Sequence, residues 1–187
     1  MSTAQRLAVG FLCAVLSVLT FHQGMLLLLR ELGLFGIPPT AIVWNLQANA
    51  RAFSLPSLVN LCFWGGLYGA AFGALAPRIT WPMWLAGLAT GVAAALVGLF
   101  IVSALRGTPI AGGWRLMAWV RSLSINGAFG LGLGLIYPWL SERVFPAPPH
   151  PAPPHPAPPH PAPPHPAPPR PAPPHPAPPR PAPLPRR

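Results

Sequence analysis

Residues 60–73 read Asn-Leu-Cys-Phe-Trp-Gly-Gly-Leu-Tyr-Gly-Ala-Ala-Phe-Gly and lie within 26 consecutive residues, Ala52 to Pro77, that carry no charge. About 20 apolar residues suffice to cross a hydrocarbon core of roughly 30 Å, so the stretch reads as a membrane-spanning helix. Its small residues are ordered: Gly65, Gly69 and Gly73 recur at every fourth position, with Gly66, Ala70 and Ala74 beside them. Helices in lipid gain little hydrophobic energy by meeting, and a groove of small side chains lets another backbone come into van der Waals contact. The expectation is a span at the centre of a helix bundle. The competing reading is that glycine is simply frequent in membrane helices.

The rest of the composition agrees with that class. Charged residues make up 7% of the 187 and hydrophobic residues 52%, whereas a soluble domain carries about 25% charged residues. The only acids are Glu31 and Glu142, and every basic side chain other than histidine is arginine. Eight arginines and two glutamates fall in residues 1–145 and four arginines in the tail, which divides the net +10 into +6 and +4. No continuous basic face can be drawn from charges so dispersed, which excludes nucleic acid and leaves an anionic lipid surface as the fitting partner. Arginine without lysine in an Ala/Pro/Gly-rich chain matches the usage of a GC-rich bacterial genome. Cys13 and Cys62 both lie in apolar runs, act as small hydrophobes there, and say nothing about redox compartment.

Working outward, Arg6 and Arg30 bracket the first span, residues 7–29. That run is too long for a signal peptide and no small-x-small cleavage site follows it. It holds His22 and Gln23, and an ionisable group at membrane depth is a functional hypothesis; the simpler reading is that His22 bonds a neighbouring helix. The glycine-rich span covers 57–76 and includes Asn60. Trp81 and Trp84 mark the next interface, and the third span, 84–104, repeats the spacing with Gly87, Gly91 and Ala95. The fourth, 122–140, does so with Asn126, Gly130 and Gly134 and ends on Tyr137-Pro138-Trp139. The predicted fold is an all-α integral membrane protein, a four-transmembrane-helix bundle.

Between the spans lie two larger loops. Ile42, Leu46, Ala50 and Phe53 recur at helical spacing, so an interfacial helix is expected over 41–54, and a second over 112–121. At an offset of 70, Pro39, Ala41, Trp44, Leu46, Ala48 and Arg51 match Pro109, Ala111, Trp114, Leu116, Ala118 and Arg121, six identities in thirteen positions. If this is a duplication, the chain is two parallel hairpin repeats related by an axis along the membrane normal. Spacings of i, i+4 and i+7 would put Trp44 with Arg51, and Trp114 with Arg121, on one helix face, as a shallow site for an anionic head group or a partner's acidic residue. The alternative is two pairs of interfacial anchors.

From Pro146 the chain becomes seven pentads of Pro-Ala-Pro-Pro-His or Pro-Ala-Pro-Pro-Arg running to Arg180. Proline lacks the N–H that helix and sheet require, so residues 146–187 should form a disordered polyproline II tail. Three residues per turn against a period of five turns successive histidines by about 240°, so they build no chelating ridge. The tail reads as a spacer, a ligand for a proline-recognising groove, or a repeat expanded without function.

No catalytic group, metal site or cofactor motif emerges. The function expected is a non-catalytic accessory, scaffold or assembly subunit of a larger bacterial inner-membrane complex, with a membrane-protein partner or a second copy beside it. The alternative is a small transporter or channel built from two repeats, for which His22, Gln23, Asn60 and Asn126 would be the intramembrane polar groups. Arg30, Arg51, Arg106, Arg115 and Arg121 on one side outnumber Arg6, Arg78 and Arg143 on the other. The positive-inside bias then makes the loops cytoplasmic and the tail periplasmic.

Overall fold

The computed structural model describes residues 1–48 and 54–146, and their architecture is all-helical. Four helices are long and apolar enough to cross a membrane: α1 (Thr3–Glu31), α2 (Ser57–Arg78), α3 (Met83–Leu105) and α4 (Leu116–Val144). Each contains its expected span, and α1 and α4 extend beyond theirs. The starts are set locally. Ser2 and Gln5 form a reciprocal capping box at α1, the Ser2 N–H donating to Gln5 Oε1 at 2.7 Å. Pro56 and Pro82, extended at ψ 139° and 132°, precede α2 and α3. α1 and α3 end alike: Gly33 (φ 63°) and Gly107 (φ 64°) take the left-handed region, and the next N–H, of Leu34 or Thr108, reaches back to the carbonyl of Leu29 or Ser103. This is the Schellman closure, which glycine adopts without a Cβ penalty.

Two antiparallel seams hold the helices together. In the first, Gly10 of α1 meets Gly69 and Gly73 of α2, Gly69 also meets Ala14, and Gly73 lies on the Arg6 carbonyl. In the second, Gly87 of α3 lies against Gly130 and Gly134 of α4, and Gly91 against Gly130 and the Asn126 carbonyl. A Cβ at any of these seven glycines would collide with opposing backbone, so the glycines are what bring the chains this close. The two hairpins then join through α1 and α4, where Phe21 and Ser17 pack over Gly132 and the Ser17 hydroxyl donates to the Phe129 carbonyl. Cys13, Ala14, Val18, Phe129 and Leu133 form the core between them.

The spatial order is therefore α2, α1, α4, α3. α2 and α3, joined by the short Arg78 turn, touch little. This corrects the expectation that the glycine-rich span is central. The physical reason is that its Gly65/Gly69/Gly73 stripe packs mainly on α1 and meets α4 only through Phe129 and Tyr137, whereas α4 presents Asn126/Gly130/Gly134 to α3 and Phe129/Gly132 to α1. Of the most apolar window in each helix, 44% is buried in α4 and 28% in α2.

The interfacial helices are also corrected. Over 41–48 the chain forms turns, and the rest of the 41–54 segment lies mostly outside the described residues. Trp44 has φ 52°, which breaks a right-handed helix. The carbonyls of Asn45 and Gln47 instead accept the N–H groups of Leu58 and Ser57, at 2.9 and 3.2 Å, and so cap the start of α2. In the second loop, Ala111, Gly112, Gly113 and Trp114 all have positive φ and form a left-handed turn. Residues 116–121 are the first turns of α4. The tail from Ala147 onward lies outside the described residues.

Candidate functional site

Both first helices of the hairpins widen near their loop ends, α1 through a π-helical stretch at Val18–His22 and α3 through another at Val97–Val102. In each, the N–H after the stretch reaches a carbonyl five residues back, Gln23 to Val18 and Ser103 to Gly98, so a carbonyl in between loses its usual donor. In α1 that carbonyl belongs to Leu19, and Trp44 reaches it through Nε1–H at 2.9 Å. The Trp44 backbone N–H donates to Oε1 of the buried Gln23 at 3.0 Å. Gln23 and Trp44, expected in separate roles, together clip the first loop onto α1. In α3 the Ser103 hydroxyl donates to the Gly98 carbonyl at 3.0 Å, and Phe100 of the π stretch packs edge-on against Trp114 and Trp119. Trp114 and Trp119 stack at 5.9 Å and 24°. Each left-handed loop tryptophan thus folds back on the π stretch before it.

Other expected residues are distributed as follows. Asn126 lies in the α3–α4 seam by its backbone, while its side chain donates to the Ser122 carbonyl of its own helix at 2.9 Å. His22 is half-buried, with Nδ1 sealed from solvent and without a hydrogen-bond partner among the described residues. Asn60, half-buried, sits in the first turn of α2. The proposed head-group pairs do not form as helix-face pairs, because Trp44 and Trp114 stand outside right-handed helix. Arg51 lies outside the described residues. Arg121 lies in α4, half-buried, and among the described residues it makes neither a hydrogen bond nor an ion pair.

Sequence reasoning missed the partner surfaces. Gly10 and Ala14, on the same four-residue spacing, were available to it; Ser17, Phe129 and Gly132 carry no pattern that marks them. It also missed an apolar groove of about 660 Å³ between the loop half of α1 and that of α4, bordered by Gly24, Leu28, Leu123, Gly127 and, from α3, Leu88. The groove stays open because Gly24 and Gly127 have no side chains to fill it. A Cβ on Gly24 would meet nothing within 4 Å, and one on Gly127 would meet only Leu88 Cδ1 at 3.5 Å.

No family model, curated protein or solved structure matches the chain. What the arrangement can do is therefore argued from its own geometry. It offers backbone seams, an aromatic cluster at the loop end, and an apolar groove with an unpaired arginine near its mouth.

Proposed function

We propose that the protein is a non-catalytic, four-span accessory or scaffold subunit of a larger assembly in the bacterial inner membrane. One observation carries the choice: apart from His22, whose Nδ1 has no partner among the described residues, most polar side chains inside the bundle bond to its own backbone. Ser17 bonds to Phe129, Thr20 to Leu16, Gln23 to Trp44, Thr90 to Ala86 and Asn126 to Ser122. The Ser17 bond ties two helices and the Gln23 bond ties a loop, while the other three close on their own helix, so these five groups are not left to line a solute path. Glycine seams with touching backbones also resist the rocking of one repeat against another that transport requires. Large apolar side chains remain outside, among them Phe63, Trp64 and Leu67 on α2 and Val92, Leu96 and Ile101 on α3. These faces suit lipid and a membrane-protein partner or second copy.

The sequence match between the two loops favours the second reading, a small transporter or channel of two parallel repeats. Beside the sequence match, both hairpins carry a π stretch, a Schellman glycine, a left-handed tryptophan and a glycine seam, although the seam glycines do not follow the offset of 70. Extraction in mild detergent with identification of co-purifying proteins separates the readings. Stoichiometric partners are expected for the subunit. An isolated protein stabilised by a small solute would overturn it in favour of the transporter. The loops are read as cytoplasmic and the tail as periplasmic, from the five-to-three excess of arginine on the loop side.

A further inference from the structure

We propose that the groove between α1 and α4 holds an acyl chain of an anionic phospholipid, with the lipid phosphate at Arg121. The inference rests on the helices crossing a bilayer, independently of the subunit reading. The groove runs from Thr20 to Leu28 on α1, about 12 Å at 1.5 Å per residue. The groove is open along one side and its lining is almost wholly apolar. A hydrocarbon chain can lie along such a groove, and the charge at its end favours a lipid.

The charge at the mouth selects the head group. Arg121 lies two residues before the groove residue Leu123 and shares a helix face with Ser124 and Ala128, which also border the groove. At the same end of α1, Glu31 is already bonded by Nε and Nη2 of Arg30, whose Nη1 donates to the Ala41 carbonyl at 3.0 Å. The remaining described charges of this end, Arg106 and Arg115, are exposed and positive. Arg121 is therefore a half-buried cation with no protein anion assigned to it, beside an apolar slot. A guanidinium binds phosphate through paired N–H donors, and an anionic lipid supplies both the phosphate and the chain.

The test uses the full chain in bilayers of phosphatidylcholine containing trace spin-labelled phosphatidylglycerol or spin-labelled phosphatidylcholine, and measures the motionally restricted fraction of each label. Wild type should restrict phosphatidylglycerol about fivefold more strongly than phosphatidylcholine, the weight of one cation at a membrane surface. Arg121→Gln should abolish the preference and keep the restricted fraction. The double variant Gly24→Leu/Gly127→Leu should lose the groove's share of the fraction, and with it the preference for phosphatidylglycerol. A Cβ fits at both glycines, and an unfolding titration shows whether the double variant keeps its fold. A phosphatidylglycerol preference that survives the double variant, or equal restriction of the two lipids by wild type, overturns the proposal. Loss of a co-purifying protein with lipid restriction unchanged would also overturn it and make the groove a protein interface.

Discussion

Replacing Gly69 with leucine is the sharpest perturbation of the packing. A Cβ there would strike the Gly10 carbonyl and the Ala14 methyl, and no flexible side-chain end is present to yield. Restoring ordinary contact requires the α1 and α2 backbones to part by about 1 Å, and a gap of that size forfeits a quarter to a half of the dispersion energy of each contact across it. Overpacking costs about 1–3 kcal/mol when a few methylenes are added, and the four carbons of leucine belong at or above the upper end. A loss of about 3 kcal/mol lowers the folding equilibrium constant more than a hundredfold. Two controls isolate the cause. Leu67→Ala, on the same helix at 43% exposure, should stay within about 0.5 kcal/mol of wild type. Gly24→Leu adds the same side chain where nothing lies within 4 Å and should behave likewise. The assay is unfolding by sodium dodecyl sulfate titrated into mixed micelles, followed by circular dichroism. A Gly69→Leu midpoint equal to those of the two controls would refute the claim that this seam holds α2.

Three further outcomes are expected. Ser17→Ala removes the interhelical bond to Phe129 and should destabilise by about 0.6 kcal/mol, at most about 1.7, in the same titration; no shift would make the α1–α4 contact independent of that bond. Trp44→Phe and Gln23→Leu break the same clip, so each should speed hydrogen exchange in the first loop and the double variant should add little; additive effects would mean the two bonds act separately. Alkaline phosphatase fused after Arg187 should be active if the tail is exported, and an inactive but well-expressed fusion would put the tail in the cytoplasm.

The spans were legible because a charge-free run longer than about 20 residues has few alternatives to a helix in lipid, and the α2, α3 and α4 stripes were legible because a four-residue spacing of glycine survives on the page. Which stripes meet was not. Gly65, Gly69 and Gly73 say that a backbone comes close and not that it belongs to α1, so the same pattern was read as marking the centre of the bundle. The 41–54 helix failed for a different reason: periodicity at Ile42 and Leu46 carries no information about φ, and a single left-handed Trp44 ends any right-handed helix through it. The π stretches at Val18–His22 and Val97–Val102 leave no compositional trace, so the pairing of Trp44 with Leu19 and Gln23 was out of reach. The groove was invisible as well, since Gly24 and Gly127 stand alone, outside any stripe.

The helix order α2, α1, α4, α3 is the claim on which the seams, the groove and the proposed role all depend, and cysteine cross-linking in native membranes tests it directly. With Cys13→Ala and Cys62→Ala as background, Ser17→Cys is paired with Gly132→Cys across α1 and α4, and Leu67→Cys with Val92→Cys across α2 and α3. A Cβ on Gly132 would come directly against the Ser17 side chain, once the Phe21 ring that also covers Gly132 turns aside. The account predicts rapid oxidation of the first pair and none within a single chain for the second. A chain that links 67 to 92 and leaves 17 and 132 reduced would contradict it.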